Sequence, residues 1–113
     1  MRIDVKGRNV AVKDEYRDRL ERKLDKVSRQ VSSLAECEIE LWEERNPAIR
    51  DSKVAEGTLH LKGVTLRARE RSEDMKHSIN LMTEDLARQV KRHRDKRRRR
   101  RDAMRVQPGA SPP

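Results

Sequence analysis

The apolar positions change period along the chain, and each change marks an element. In MRIDVKG, Ile3 and Val5 alternate with Arg2, Asp4 and Lys6, the period of a half-buried strand, which Gly7 ends. In KDEYRDRLERKLDKVSRQVSSL the apolar residues Tyr16, Leu20, Leu24, Val27 and Val31 recur at steps of three and four, one stripe of a helix. Asp14 and Glu15 stand in its first turn, where the helix dipole favours acids, and Ser32-Ser33 loosens its end. AECEIELWEERNP alternates again: Cys37, Ile39 and Leu41 share one face, Glu38, Glu40 and Trp42 the other, and Asn46-Pro47 closes the strand. In NPAIRDSKVAEG a loop of about seven residues is expected. GTLHLKGVTLRARERS then reads as a tight antiparallel hairpin folded at Lys62-Gly63, with Leu59, Leu61, Val64, Leu66 and Ala68 inward. A second helix is expected from Ser72, a good N-cap, with the stripe Met75, Ile79, Met82, Leu86 and Val90.

This order predicts an α+β fold, β-α-β-β-β-α, in which a four-stranded sheet carries two helices on one face and leaves the other open. The first strand reaches its neighbour through a helical crossover, so one parallel pair is expected. The second stripe stops at Val90, because the next positions in phase are His93 and Arg97. Nothing breaks the helix before Gln107-Pro108-Gly109. Its apolar part, at about 27 Å, is expected to outrun strands of about 20–23 Å.

Charge sharpens the picture. The 113 residues suit one small domain, and 33% hydrophobic residues with no Phe allow one thin core. Residues 85–113 carry eleven Lys/Arg against three Asp/Glu, whereas residues 1–84 carry eighteen against seventeen. Residues 1–84 are therefore nearly neutral, and the domain, expected at residues 1–101, ends in a basic helix, followed by a flexible, linker-like tail at 102–113 that contains QPGASPP. The single cysteine, Cys37, allows no intramolecular disulfide and suits a reducing compartment. With no signal-peptide core and no membrane-length apolar run, a cytoplasmic location is expected.

The basic end is the strongest chemical signal. Dense arginine rewards long polyanions through counterion release and through forked hydrogen bonds to phosphate oxygens. Lys23, Lys26 and Arg29, at steps of three on the first helix, could extend that surface. The acidic residues Glu36, Glu38, Glu40, Glu43 and Glu44 fit cross-strand pairing with Lys62, Arg67 and Arg69 better than catalysis. His60, His77 and His93 fall on different elements without metal-ligand spacing. There is no Gly-rich phosphate loop and no nucleophile with a base, so neither an enzyme, a cofactor nor a metal is expected. Trp42, off the apolar phase of its strand, suits a sheet-edge or contact-patch cover, or a base-stacking platform. Charge alone leaves open a general double-stranded RNA or DNA binder and a protein-binding transcription modulator.

Particular motifs narrow this. The opening I-V-GRNV, the Lys23/Lys26 pair, GTLHLKG followed by LRA, Asp74-Met75 with Ile79, and above all LARQVKRHRDK at Leu86 to Lys96 resemble the ribosome hibernation-promoting factors. That family includes ribosome-associated inhibitor A and the sigma-54 modulation proteins, and the resemblance covers about residues 1–100. It implies a topology akin to double-stranded-RNA-binding domains. It also implies binding to ribosomal RNA of the small subunit, across the channel for messenger and transfer RNA, with translation blocked by occupancy during stress or stationary phase. Carried onto this chain, the RNA-contacting residues are Lys23 and Lys26 on the first helix and Arg88, Gln89, Lys91, Arg92, His93, Arg94, Lys96, Arg97 and Arg98 on the second. Lys76 stands where family members often have an aromatic, and Arg97 to Arg101 is more basic than in short forms. Long forms carry a linker and a second domain that pairs two proteins; this chain is expected to be the N-terminal domain of such a form, with homodimerisation through the missing C-terminal domain.

Overall fold

The computed structural model describes the backbone of residues 1–109 and the side chains of residues 1–103. Its elements are β1 (Arg2–Arg8), α1 (Asp14–Ser28), β2 (Glu36–Glu43), β3 (Lys53–Leu61), β4 (Val64–Ser72) and α2 (Met75–Gly109). The sheet order is β1-β2-β3-β4, with β1 parallel to β2 and the other pairs antiparallel. The expected α+β architecture and its one parallel pair are therefore present.

The core lies between one sheet face and the helices. Leu20, Leu24 and Val27 of α1 and Met75, Ile79, Met82, Leu86 and Val90 of α2 meet Cys37, Ile39, Leu41, Ala55, Leu59 and Ala68. Gly57 lets α2 come close: a Cβ there would sit 2.7 Å from both Leu86 Cδ1 and Met82 Sδ. Burial among these groups, with the neighbouring Glu38 charge adding to it, pushes the Cys37 thiol up to about 12.

The GRNV motif is a fold-back clamp. A Cβ on Gly7 would lie 2.4 Å from the Val10 carbonyl oxygen, so only glycine fits where the chain returns over β1. Asn9 takes a left-handed φ of 54°. Its Nδ2 donates to the Glu43 carbonyl at 3.0 Å, and its Oδ1 accepts from the Glu43 N–H at 3.1 Å. The amide thereby continues the β1–β2 ladder past the end of the strand. At the hairpin Gly63 has φ 81°, the conformation that makes Lys62-Gly63 a turn.

Four local expectations change. β3 begins at Lys53, because Val54 and Ala55 pack as strand residues paired with Trp42 and Leu41. Ser72 closes β4 and does not cap α2: Asp74 caps it, accepting from the His77 N–H through Oδ2 at 3.3 Å. Ser72 instead joins buried Ser78, whose hydroxyl donates to the Lys53 carbonyl at 2.6 Å and pins the start of α2 to β3. Nine-residue strands span about 30 Å, so the apolar part of α2 does not outrun the sheet. The overhang begins after Val90 and comes from the length of the helix, 35 residues or about 52 Å. Of the tail expected from residue 102, residues 102–109 continue this helix and residues 110–113 lie outside the described residues.

Candidate nucleic-acid interface

The two helices run side by side in the same direction. Lys76 Nζ meets Glu15 at 3.2 Å, and one turn further Arg19 Nη1 donates to Asn80 Oδ1 at 3.1 Å. These contacts fix which flank of α1 is turned to α2. Lys23 and Lys26 follow Arg19 at helical spacing on that flank, and both are exposed. The matching advance along α2 leads from Asn80 to exposed Glu84 and to Ala87, and Arg88, Lys91 and Arg92, also exposed, follow beyond them. The outward surface of the helix pair thus gathers the cations of both helices and continues into the overhang, where Arg94, Lys96, Arg97 and Arg98 are all exposed.

What distinguishes these charges is the absence of partners. Among the described residues, Arg88 is the one member of the expected set with an ion pair, a long 3.7 Å contact with Asp85. Several acids of this chain are engaged elsewhere. On the open sheet face Arg8 pairs with Glu40 at 3.1 Å, His60 approaches Glu38 at 3.5 Å, and Arg69 meets Glu56 at 2.7 Å. Lys53 holds Glu43 at 2.6 Å. Cross-strand pairing is as expected, but the partners of the β2 acids differ from Lys62, Arg67 and Arg69. The neighbours of β2 are β1 and β3, and β4 lies one strand too far.

Two residues of the expected set are placed differently from the rest. Gln89 is half-buried and donates from Nε2 to the Arg67 carbonyl at 2.9 Å, clipping α2 to the edge strand β4. His93 is half-buried, in phase with the core stripe, and lies in a groove beneath the overhang together with Arg94, Arg97 and Arg98. Arg101 joins that groove; it stood in the basic block Arg97 to Arg101 but outside the expected RNA-contacting set, and its spacing from Arg94 and Arg97 was the available signal.

Trp42 is covered and not offered to a ligand. It is 7% exposed, with the Arg8 guanidinium 4.6 Å from its ring centroid and that of Arg69 at 5.3 Å. Its Nε1 donates to Glu44 at 3.1 Å. It does not cover a sheet edge: β2 is an inner strand, and the two arginines lie over the ring. Among the described residues no group of three or more His, Cys, Asp or Glu could hold a metal ion, and no helix is long and apolar enough to cross a membrane.

A family model described as Sigma 54 modulation protein / S30EA ribosomal protein matches residues 3–98. The chain belongs to this family. It is 32% identical over 97 residues to a ribosome hibernation promotion factor of Picosynechococcus sp., covering 85% of this chain and 50% of that protein. It is 31% identical over 96 residues to a protein of the same name from Staphylococcus aureus, covering 83% and 48%. The chain thus spans about half the length of these curated relatives. Among solved structures, the N-terminal domain of Protein Y from Thermus thermophilus superposes with a TM-score of 0.69 at 28% identity, covering 82% of this chain and 99% of that one. A ribosomal subunit interface protein of Coxiella burnetii shares the fold, with a TM-score of 0.71 at 21% identity, covering 84% and 99%.

Within the family motifs the structure separates two kinds of residue. Gly7, Asn9, Gly57 and Gly63 meet backbone and packing demands of the fold. Lys91, Arg92, Arg94 and Lys96 meet no such demand: they are exposed and without ion pairs. The family match ends at residue 98, so Arg99, Arg100 and Arg101 extend the helix cations beyond it.

Proposed function

We propose that this chain is the ribosome-binding part of a hibernation factor. It occupies the messenger- and transfer-RNA channel of the small subunit and stops translation by occupancy, in the cytoplasm, during stress or stationary phase. The observation that carries this reading is the run of exposed cations from Lys91 through Arg98, without ion pairs among the described residues and projecting beyond the sheet, with exposed Lys23 and Lys26 on the flank of α1 turned to α2. Such a surface follows a phosphate backbone, each neutralised phosphate releasing counterions. The names of the curated relatives support the same reading.

In this proposal Lys23, Lys26, Arg88, Lys91, Arg92, Arg94, Lys96, Arg97 and Arg98 contact ribosomal RNA. His93 contributes from the groove side, and Gln89 acts by fixing the helix to β4. No chemical step is involved.

Co-sedimentation with isolated small subunits tests this. One-to-one saturable binding, lost when messenger RNA and initiator transfer RNA fill the channel, is the expected result. Binding that never saturates, or that an equal mass of bulk duplex RNA removes, would mean a generic polycation and would overturn the mechanism.

A further inference from the structure

Where α2 leaves the sheet, it roofs a groove of about 840 Å³. One wall is arginine: Arg94, Arg97, Arg98 and Arg101. The floor is aliphatic, formed by Val31 and Ala35 after α1, Leu61 at the end of β3, and Val90, the last core residue of α2. The lip is Leu34, 88% exposed and the one large hydrophobic side chain left open among the described residues.

These features are more than a phosphate site needs. A phosphate satisfies the arginines but brings no apolar group for Leu34 and the floor. An unstacked base would find aliphatic side chains in place of an aromatic platform. A second copy of this chain would bring a like-charged helix to the same wall. A protein segment with acidic side chains and an aliphatic side chain satisfies both requirements.

We propose that this groove binds an acidic, leucine-bearing peptide segment, with its carboxylates on Arg94, Arg97, Arg98 and Arg101 and its aliphatic side chain against Leu34, Val31 and Leu61. The site goes beyond the RNA reading. It shares Arg94, Arg97 and Arg98 with that surface, so an occupied groove withdraws them from RNA.

The test is fluorescence anisotropy with three labelled probes: a Glu/Leu peptide with leucines at helical spacing, the same peptide with every Leu replaced by Ser, and a single-stranded oligouridylate. The Glu/Leu peptide is expected to bind more tightly than its Ser counterpart. Leu34→Ser is expected to weaken it by about tenfold without changing the affinity for the Ser peptide. Because Leu34 is exposed, that variant should melt as the parent does, and Leu61→Ser provides a second reading. Equal binding of the two peptides, or an unchanged affinity in Leu34→Ser, would overturn the proposal. So would a loss in Leu34→Ser confined to the oligouridylate, which would make the groove a nucleic-acid site. Direct peptide binding separates failure here from failure of the ribosome reading.

Discussion

The open face of the sheet and the projecting end of α2 are both crowded with charge, and they hold it in opposite ways. On the sheet, acids of β2 and β3 lie between basic residues of β1 and β4, and Arg8, His60 and Arg69 each have a carboxylate within reach. On α2 after Val90 the arginines stand mostly among other cations, and the acids present there, Asp95 and Asp102, form no ion pair among the described residues. Two arginines of the sheet also cover Trp42, so they serve the fold. Those of the overhang touch little of the domain beyond the groove wall. The number of charges on a surface therefore says less than whether the fold has already used them.

The largest expected effect comes from removing the unused charges. Changing Arg92, Arg94, Lys96, Arg97 and Arg98 together to Gln should cost on the order of a hundredfold or more in affinity for isolated small subunits at physiological salt. The melting temperature should stay within a few degrees, since no core contact is lost. A coincident collapse of stability would mean that the overhang belongs to the fold, and the contrast would fail.

Gly57→Val should have the converse profile. It drives a side chain into Leu86 and Met82, where overpacking costs about 1–3 kcal/mol, or roughly 4–8 °C of melting temperature for each kcal/mol. Per folded molecule, subunit binding should hold. Asn9→Ala should follow, losing both hydrogen bonds to Glu43 and placing Ala at a positive φ, about 1–2 kcal/mol by chemical denaturation. Its effect on binding should be negligible.

The smallest effect is expected on the open face. Converting Glu38, Glu40 and Glu56 to Gln frees Arg8 and Arg69 and adds net positive charge. Each partly exposed pair contributes less than about 1 kcal/mol, so thermal melts should shift only slightly. Subunit affinity should change little despite the higher net charge. A large gain would show that any cation on this domain serves, and the distinction between used and unused charge would lose its force.

Much of this was readable in the chain. The stripes Leu20-Leu24-Val27 and Met75-Ile79-Met82-Leu86-Val90, and the alternation Cys37-Ile39-Leu41, gave the layers directly, because burial on one face imposes a period. The start of β3 was hidden. Lys53, Val54, Ala55 and Glu56 do not alternate in polarity, since Val54 is buried on the open face beside Trp42 while Ala55 faces the helices. The cap of α2 was misplaced because Ser72 and Asp74 are both good caps, and the choice rests on Ser78 reaching the Lys53 carbonyl, a contact distant in sequence. The basic set was legible as composition, but its freedom from partners was not. Gln89 shows the limit of a motif: it stands among the basic residues and reaches the sheet instead. The groove was illegible, because Leu34, Leu61 and Arg97 come from three separate segments.

The most direct test of the central claim is the salt dependence of binding to isolated small subunits, measured for three forms of the chain. They are the unmodified protein, the five-residue α2 variant, and the three-residue open-face variant. The plot of log affinity against log salt should be steep for the unmodified chain. It should be equally steep for the open-face variant, and shallower for the α2 variant by roughly 0.7–0.9 for each lost phosphate contact. Equal slopes for all three would contradict the account, because the unpaired cations of α2 would then not be the ones that meet the RNA.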